Sequence, residues 1–169
     1  MTDVFGRFTS LIPTGTPEVL FGELQGIVDR LVGVQLFTCS RFDLQAGKAE
    51  RIFTNNAEAY PLTGLKDIVP NRWTRTVLDG RQPFLAEDIE GLRDVFPDHE
   101  KIESLGFGAA INLPVFVSGQ FLGTVNLLHA NGHYCEKHLP ALLPATLPAS
   151  VAFLSTMLAE DAAHPNGSR

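Results

Sequence analysis

The chain has 169 residues, 44% of them hydrophobic and 19% charged, a balance that excludes a disordered chain and fits one globular domain. A chain of this length removes roughly 70% of its unfolded surface from water, so its core needs neither disulfides nor a metal. Its 13 Lys and Arg stand against 19 Asp and Glu, and the net charge of −6 argues against nucleic acid or an anionic membrane as the main partner.

The amino end lacks the charged start and apolar run of a secretory signal, and no stretch approaches the roughly 18–20 continuous apolar residues of a membrane span. Cys39 and Cys135 are too few for a disulfide framework and show no CxxC spacing, so the expected setting is the reducing cytoplasm.

Residues 1–15 read as an arm with one helical turn near residues 4–8, residues 16–160 as the domain, and residues 161–169 as a polar tail. Thr16 is a good N-cap, Pro17 suits the first helical position, and Glu18 complements the macrodipole. Leu20, Leu24, Ile27, Val28 and Leu31 then follow at helical spacing until Gly33. Residues 33–42, rich in β-branched and aromatic side chains, predict a strand, with a turn at 43–48 and a hairpin partner at 49–55. Residues 57–67 read as a loop, residues 71–78 as a short helix closed by Gly80, and residues 83–86 as an edge strand behind Pro83. Residues 91–105 split at Pro97, with Asp98 placed to cap a second short helix and Gly106 following it.

The most regular stretch, residues 108–130, predicts two strands around Ser118-Gly119. A three-residue loop, Ser118 to Gln120, pairs Asn112 with Asn126 and Pro114 with Thr124. One face then carries Ile111, Leu113, Val115, Val117, Phe121, Val125 and Leu127 and ends on His129; the other carries Ala110, Asn112, Pro114, Phe116, Leu122, Thr124, Asn126 and Leu128. In residues 136–160, Leu139, Leu142, Leu143, Leu147, Val151, Leu154 and Leu158 form an apolar stripe. Prolines 140, 144 and 148 predict a kink, or a helix regular only after about residue 148.

This order of elements, together with Gly106, Pro114, Gly119, Gly123 and the Leu127-Leu128 end, resembles GAF domains over roughly residues 17–160. Trp73, Gly80 and residues 95–99 look like one bacterial subgroup. The resemblance implies an α+β fold: a central antiparallel sheet of five to six strands, the first and last helices on one face, and loops and short helices forming a small-molecule pocket on the other. Asn112, Thr124 and Asn126 would then face the pocket, Trp73 and Tyr60 would belong to its lid, and Arg72 and Arg75 would meet an anionic ligand. The competing expectation is that the two Asn side chains bond the backbone of residues 57–90, and that Trp73 and Tyr60 simply anchor the loop.

The residues offer little chemistry. His129, His133, Cys135 and His138 have ligand types but fit no zinc framework, and adjacent Asp98, His99 and Glu100 on a helix splay about 100° apart. No metal, cofactor or catalytic set is expected. The bilin and cyclic-nucleotide signatures of related domains are missing; Asp67-Ile68-Val69-Pro70 only resembles the former. The expected function is a bacterial small-molecule sensor without its own output domain. It would be a homodimer through the helices near residues 17–32 and 136–160, with a separate protein as output. The alternatives are a thiol enzyme using Cys39 and Cys135, like relatives that reduce free methionine sulfoxide, and a scaffold whose pocket is filled by its own side chains.

Overall fold

The computed structural model describes residues 3–164. Helix α1, Val4–Leu11, replaces the expected single turn; the Asp3 side chain accepts from the Phe5 amide and Phe8 is buried in the core. Helix α2, Pro17–Val32, has the predicted caps, with the Thr16 hydroxyl accepting from the Val19 amide at 3.3 Å and Gly33 turning the chain out at φ 75°. The tail was expected from residue 161, whereas the last helix runs to Ala163; residues 165–169 lie outside the described residues.

Strands β1 (Leu36–Asp43), β2 (Lys48–Thr54), β3 (Leu65–Asp67), β4 (Phe84–Ala86), β5 (Ala109–Val117) and β6 (Gln120–His129) form one six-stranded sheet in the order β3-β2-β1-β6-β5-β4. All neighbours are antiparallel. β3 lies in the stretch read as loop. Its three residues have no apolar alternation and are exposed, so only the pairing of Leu65 with Glu50 and Asp67 with Lys48 makes it a strand. β4 sits at the far edge, where Pro83 costs no ladder bond. Between β3 and β4 come α3 (Arg72–Thr74) and a π-helical turn, Arg75–Asp79; between β4 and β5 come α4 (Glu90–Arg93) and α5 (His99–Ser104). Asp98 precedes α5 but makes no side-chain cap bond.

The β5–β6 hairpin keeps the predicted pairs, Asn112 with Asn126 and Pro114 with Thr124, but closes with a two-residue turn. Ser118 (φ 50°) and Gly119 (φ 78°) supply the positive pair of dihedrals that a type I′ connection needs. The odd residue sits further back, as a bulge: Val115 pairs Gly123 and Phe116 pairs Phe121, leaving Leu122 unpaired. This exchanges two side chains between faces. Leu122 packs into the core beneath the helices, whereas Phe121 lies against Phe42 and Phe116, the reverse of the strict alternation.

The chain's last apolar segment is broken as its prolines require: α6 (His138–Ala141), a 3-10 turn (Leu143–Ala145) and α7 (Thr146–Ala163). Pro148 falls in the first turn of α7, where an amide has no intrahelical acceptor, so no bond is lost. Leu142, Ala145, Ala149, Ala152 and Phe153 are buried with α2 and the sheet, and the ring of Phe153 stands edge-on to Phe21 at 5.2 Å. The expected leucine stripe is therefore split: Leu142 is buried, but Leu143, Leu147, Leu154 and Leu158 are exposed. The alanines bring α7 close to the sheet and turn those leucines outward. Residues 138–163 would pass as a membrane span by length and mean hydropathy, 1.6, alone; here they are interrupted and one face is packed on the domain.

Candidate functional site

The sheet face opposite α2 and α7 carries a cavity of about 560 Å³. Its floor follows the period-2 alternation of three adjacent strands: Leu36, Thr38, Ser40 and Phe42 from β1, Thr124, Asn126 and Leu128 from β6, Ala110 and Asn112 from β5. Trp73, Tyr60, residues 65–69 and residues 95–98 make the walls.

A directed chain of hydrogen bonds crosses this floor. The Trp73 indole Nε1–H donates to Asn112 Oδ1 at 2.9 Å, Asn112 Nδ2 donates to Asn126 Oδ1 at 2.9 Å, and Asn126 Nδ2 donates to Thr38 Oγ1 and Ser40 Oγ, each at 3.2 Å. An indole can only donate, so Trp73 sets which way both amides point. The two Asn side chains thus bond one another and side chains from α3 and β1, rather than loop backbone. α3 is held in place for this by Asn71, whose side chain accepts from the Thr74 amide while Thr74 Oγ1 accepts from the Asn71 amide.

Of the residues singled out from sequence, Asn112, Asn126, Thr124, Trp73 and Tyr60 all line the cavity. Thr124 has no exposed surface and its hydroxyl has no partner among the described residues, so it sits at the base of the floor, below the reach of water. Arg72 and Arg75 are not among the lining residues. Trp73 takes the inward direction of α3, and a helix places its neighbour about 100° away. Arg72 accordingly turns outward. It grips Asp94 through Nε at 3.1 Å and Nη2 at 2.9 Å, donates to the Gly91 carbonyl, and covers the Phe84 ring. Arg75 is exposed.

Two other cations do line the cavity, Lys66 and Arg51, and strict alternation hides the second. Arg51 and Phe53 share a parity, yet the β1–β2 ladder carries a bulge in which Cys39 pairs Phe53 and Ser40 pairs Arg51. Ile52 absorbs the extra position, so Phe53 points to the helices while Arg51 points to the cavity. Nη1 of Arg51 donates to the Pro61 carbonyl at 2.8 Å, its guanidinium covers the Tyr60 ring at 5.0 Å, and its Nε is buried without a partner among the described residues. Burial pulls its pKa below the ordinary arginine value. Tyr60 is clamped from two sides, by Arg51 and by the Lys101 ammonium at 4.5 Å, and its hydroxyl donates to Asp98 at 3.5 Å. Burial, and then the Asp98 charge, push the Tyr60 phenol well above its usual range. Asp98, read from sequence as a helix cap, instead faces the cavity, with Lys66 at 4.0 Å. No spacing rule announces it.

Both cysteines are free. Cys39 is wholly buried in the core beneath the helices, on the face away from the cavity, and burial pushes its thiol far up. Cys135 lies beside His138, Sγ to Nδ1 3.6 Å. The rings of His129 and His133 stack at 3.4 Å, and His133 Nε2–H donates to the Val32 carbonyl, closing the end of α2. Among the described residues no group of three His, Cys, Asp or Glu is placed to hold a metal.

No protein-family model matches the chain, and no curated protein matches it. Solved structures do. A phycoerythrobilin-bound GAF domain from a cyanobacterial phytochrome is similar at 16% identity and a TM-score of 0.67, over 93% of this chain and 96% of that one. A GAF domain from a phosphoenolpyruvate-protein phosphotransferase of Coxiella burnetii matches at 13% identity and TM-score 0.65, over 96% and 94%. A domain of a protein named a putative two-component sensor histidine kinase, from Sinorhizobium meliloti, matches at 15% and 0.63, over 89% and 99%. With the helices on one face of the sheet and the cavity on the other, the fold of this chain is the GAF fold.

Proposed function

We propose that this chain is a sensory GAF module that binds a small organic molecule in the cavity on the β1–β6–β5 face and does no chemistry on it. The observation that carries this reading is the cavity itself: about 560 Å³, mostly apolar, with a few convergent polar groups held by the Trp73–Asn112–Asn126 chain of bonds. The similar folds include domains of a sensor kinase and a chromophore-bound phytochrome domain, which supports a sensory role. Cys39, the more deeply placed thiol, faces away from the cavity, and this favours a binder over a thiol enzyme.

The output would pass through a homodimer to a separate protein. Leu143, Leu147, Leu154, Met157 and Leu158 of the closing segment, with Val19 of α2, leave apolar side chains in water on the face opposite the cavity. A second copy covering them would couple α2 and α7 to whatever shifts the sheet.

The test is a thermal-shift screen of a metabolite library, paired with mass spectrometry of the protein isolated natively from its host. A binder at 100 times its Kd adds about 2.7 kcal/mol to stability. Ala110→Trp, which fills the floor, should abolish every such shift. A library in which no compound moves the melting temperature, together with a native sample carrying no small molecule, would sink the binding reading in favour of a scaffold.

A further inference from the structure

We propose that the cavity takes a small organic monoanion, a carboxylate on a flat unsaturated body, with Arg51 as its counter-ion. The proposal rests on the reading of the cavity as a ligand site. It starts from a charge count along the lining. Four lining residues are charged: Arg51, Lys66, Asp67 and Asp98. Asp98 has Lys66 as its ion-pair partner and Asp67 has Lys48, whereas among the described residues Arg51 makes no ion pair. Among the described residues its one hydrogen bond is to a neutral carbonyl and its Nε is unmet, while its face rests on a phenol ring. Asp98 reaches Arg51 only through space, beyond the Tyr60 hydroxyl, and a half-buried guanidinium with no carboxylate in direct contact is a costly arrangement that an entering anion relieves. The bulge at Ile52 turns Arg51 to this face, away from the parity that Phe53 keeps.

The amides of the floor are already committed. Both hydrogens of the Asn126 amide go to Thr38 and Ser40, and Asn112 donates to Asn126. Among the floor side chains the Thr38 and Ser40 hydroxyls, which accept from Asn126, keep their own hydrogens to donate, and Arg51 is left as the charged partner of the head group. With Lys66 paired to Asp98, Arg51 leaves one positive charge over on the lining, which matches one negative charge, whereas a phosphate dianion would leave a charge unmatched. From Arg51 on β2 to Asn112 on β5 the floor spans three strand spacings, roughly 14 Å, so a body extends beyond the head. That body meets Phe42 and Trp73, stacked 27° from parallel at 5.7 Å, and the apolar side chains Leu36 and Leu128. Such walls favour a planar molecule.

The probes are benzoate, phenylacetate and 2-naphthoate, each against its neutral amide, with phenyl phosphate as the dianion. Calorimetry and thermal shift are run on wild type, R51Q, R51K and D98N. At least one carboxylate should bind wild type roughly tenfold or more tightly than its amide. R51Q should erase that preference, R51K should keep part of it, and D98N, which removes the neighbouring negative charge, should tighten carboxylate binding several-fold. If R51Q fails to fold, the carboxylate-to-amide ratio and the sign of the D98N change still decide. Amides binding as well as acids, tighter binding of phenyl phosphate, or an R51Q variant with unchanged preference would each overturn the assignment. If a neutral library compound shifts melting and none of the acids does, this proposal fails and the ligand-site reading survives; if nothing binds, both fail.

Discussion

Trp73, Asn112 and Asn126 work as one unit because each amide has its donor and acceptor spoken for in a single direction. Trp73→Phe keeps the apolar wall but leaves Asn112 Oδ1 with no donor from α3. We expect it to lower stability by about 1–3 kcal/mol, read as a shift in the urea midpoint without a change in slope. Thr124→Val should behave oppositely. Its hydroxyl is buried and has no partner among the described residues, so removing it should leave stability unchanged or raise it by up to about 1 kcal/mol. A fall of more than that would mean the hydroxyl has a partner. His129 has a different readout. Burial, and then the neighbouring His133 ring, hold its pKa below the ordinary 6.5, with Asp29 opposing. The unfolded chain therefore takes up a proton on His129 before the folded one does, so stability is full above about pH 6.5 and declines as pH falls below it. Melting temperatures from about pH 8 to pH 5 should show this decline, and His129→Gln should flatten it. A profile unchanged by the substitution would place the dependence elsewhere.

At the scale of elements the two bulges decide the site. The hairpin register was legible because one face of β5 and β6 is apolar without exception through the paired body of the hairpin, and a slip of one residue would drive Asn112 and Asn126 into the core. The bulges were not legible. An inserted residue leaves the composition of both strands unchanged and shows only as a parity switch, for Phe121 and Leu122 in one case and Arg51 and Phe53 in the other. Gly123, next to the first bulge, carries φ 152°, and a Cβ there would lie 2.2 Å from the Ser40 carbonyl oxygen and 2.5 Å from the Phe153 ring. Gly123→Ala should therefore destabilise by at least about 2 kcal/mol. Ser118, in the turn at φ 50°, pays the left-handed penalty as an ordinary residue; Ser118→Asn should stabilise by a few tenths of a kcal/mol. Both follow from chemical denaturation, and a Gly123→Ala protein as stable as wild type would contradict the bulge geometry. The ends of α2 were legible because Thr16, Pro17 and Gly33 act on backbone within three or four residues of themselves, whatever surrounds them.

For the whole molecule, the closing helix presents two apolar faces of different character. Alanines and Phe153 pack inward; leucines lie outward, Leu147 at 72% and Leu158 at 71% exposure. If those leucines seat a second copy, Leu147→Glu with Leu158→Glu should convert a dimer into a folded monomer in sedimentation equilibrium, with the far-UV spectrum retained. A wild-type monomer at tens of micromolar protein would end the dimer proposal and leave the patch to another partner.

What the chain determined by itself is what depends on neighbours in sequence: the caps of α2, the alternation that makes one sheet face core and the other a mixed wall, and the break that Pro140, Pro144 and Pro148 impose on the last segment. Arg72 and Arg75 show the limit. Both stand beside the right tryptophan, but one helical step turns Arg72 to Asp94, and Arg75 is exposed outside the cavity lining. The tertiary structure alone decided that Arg51 faces the cavity and that β3 is a strand. It also decided that the leucines of α7 face water. Each of these follows from long-range pairing or close packing, where the partner is many residues away and the local pattern carries no trace of it.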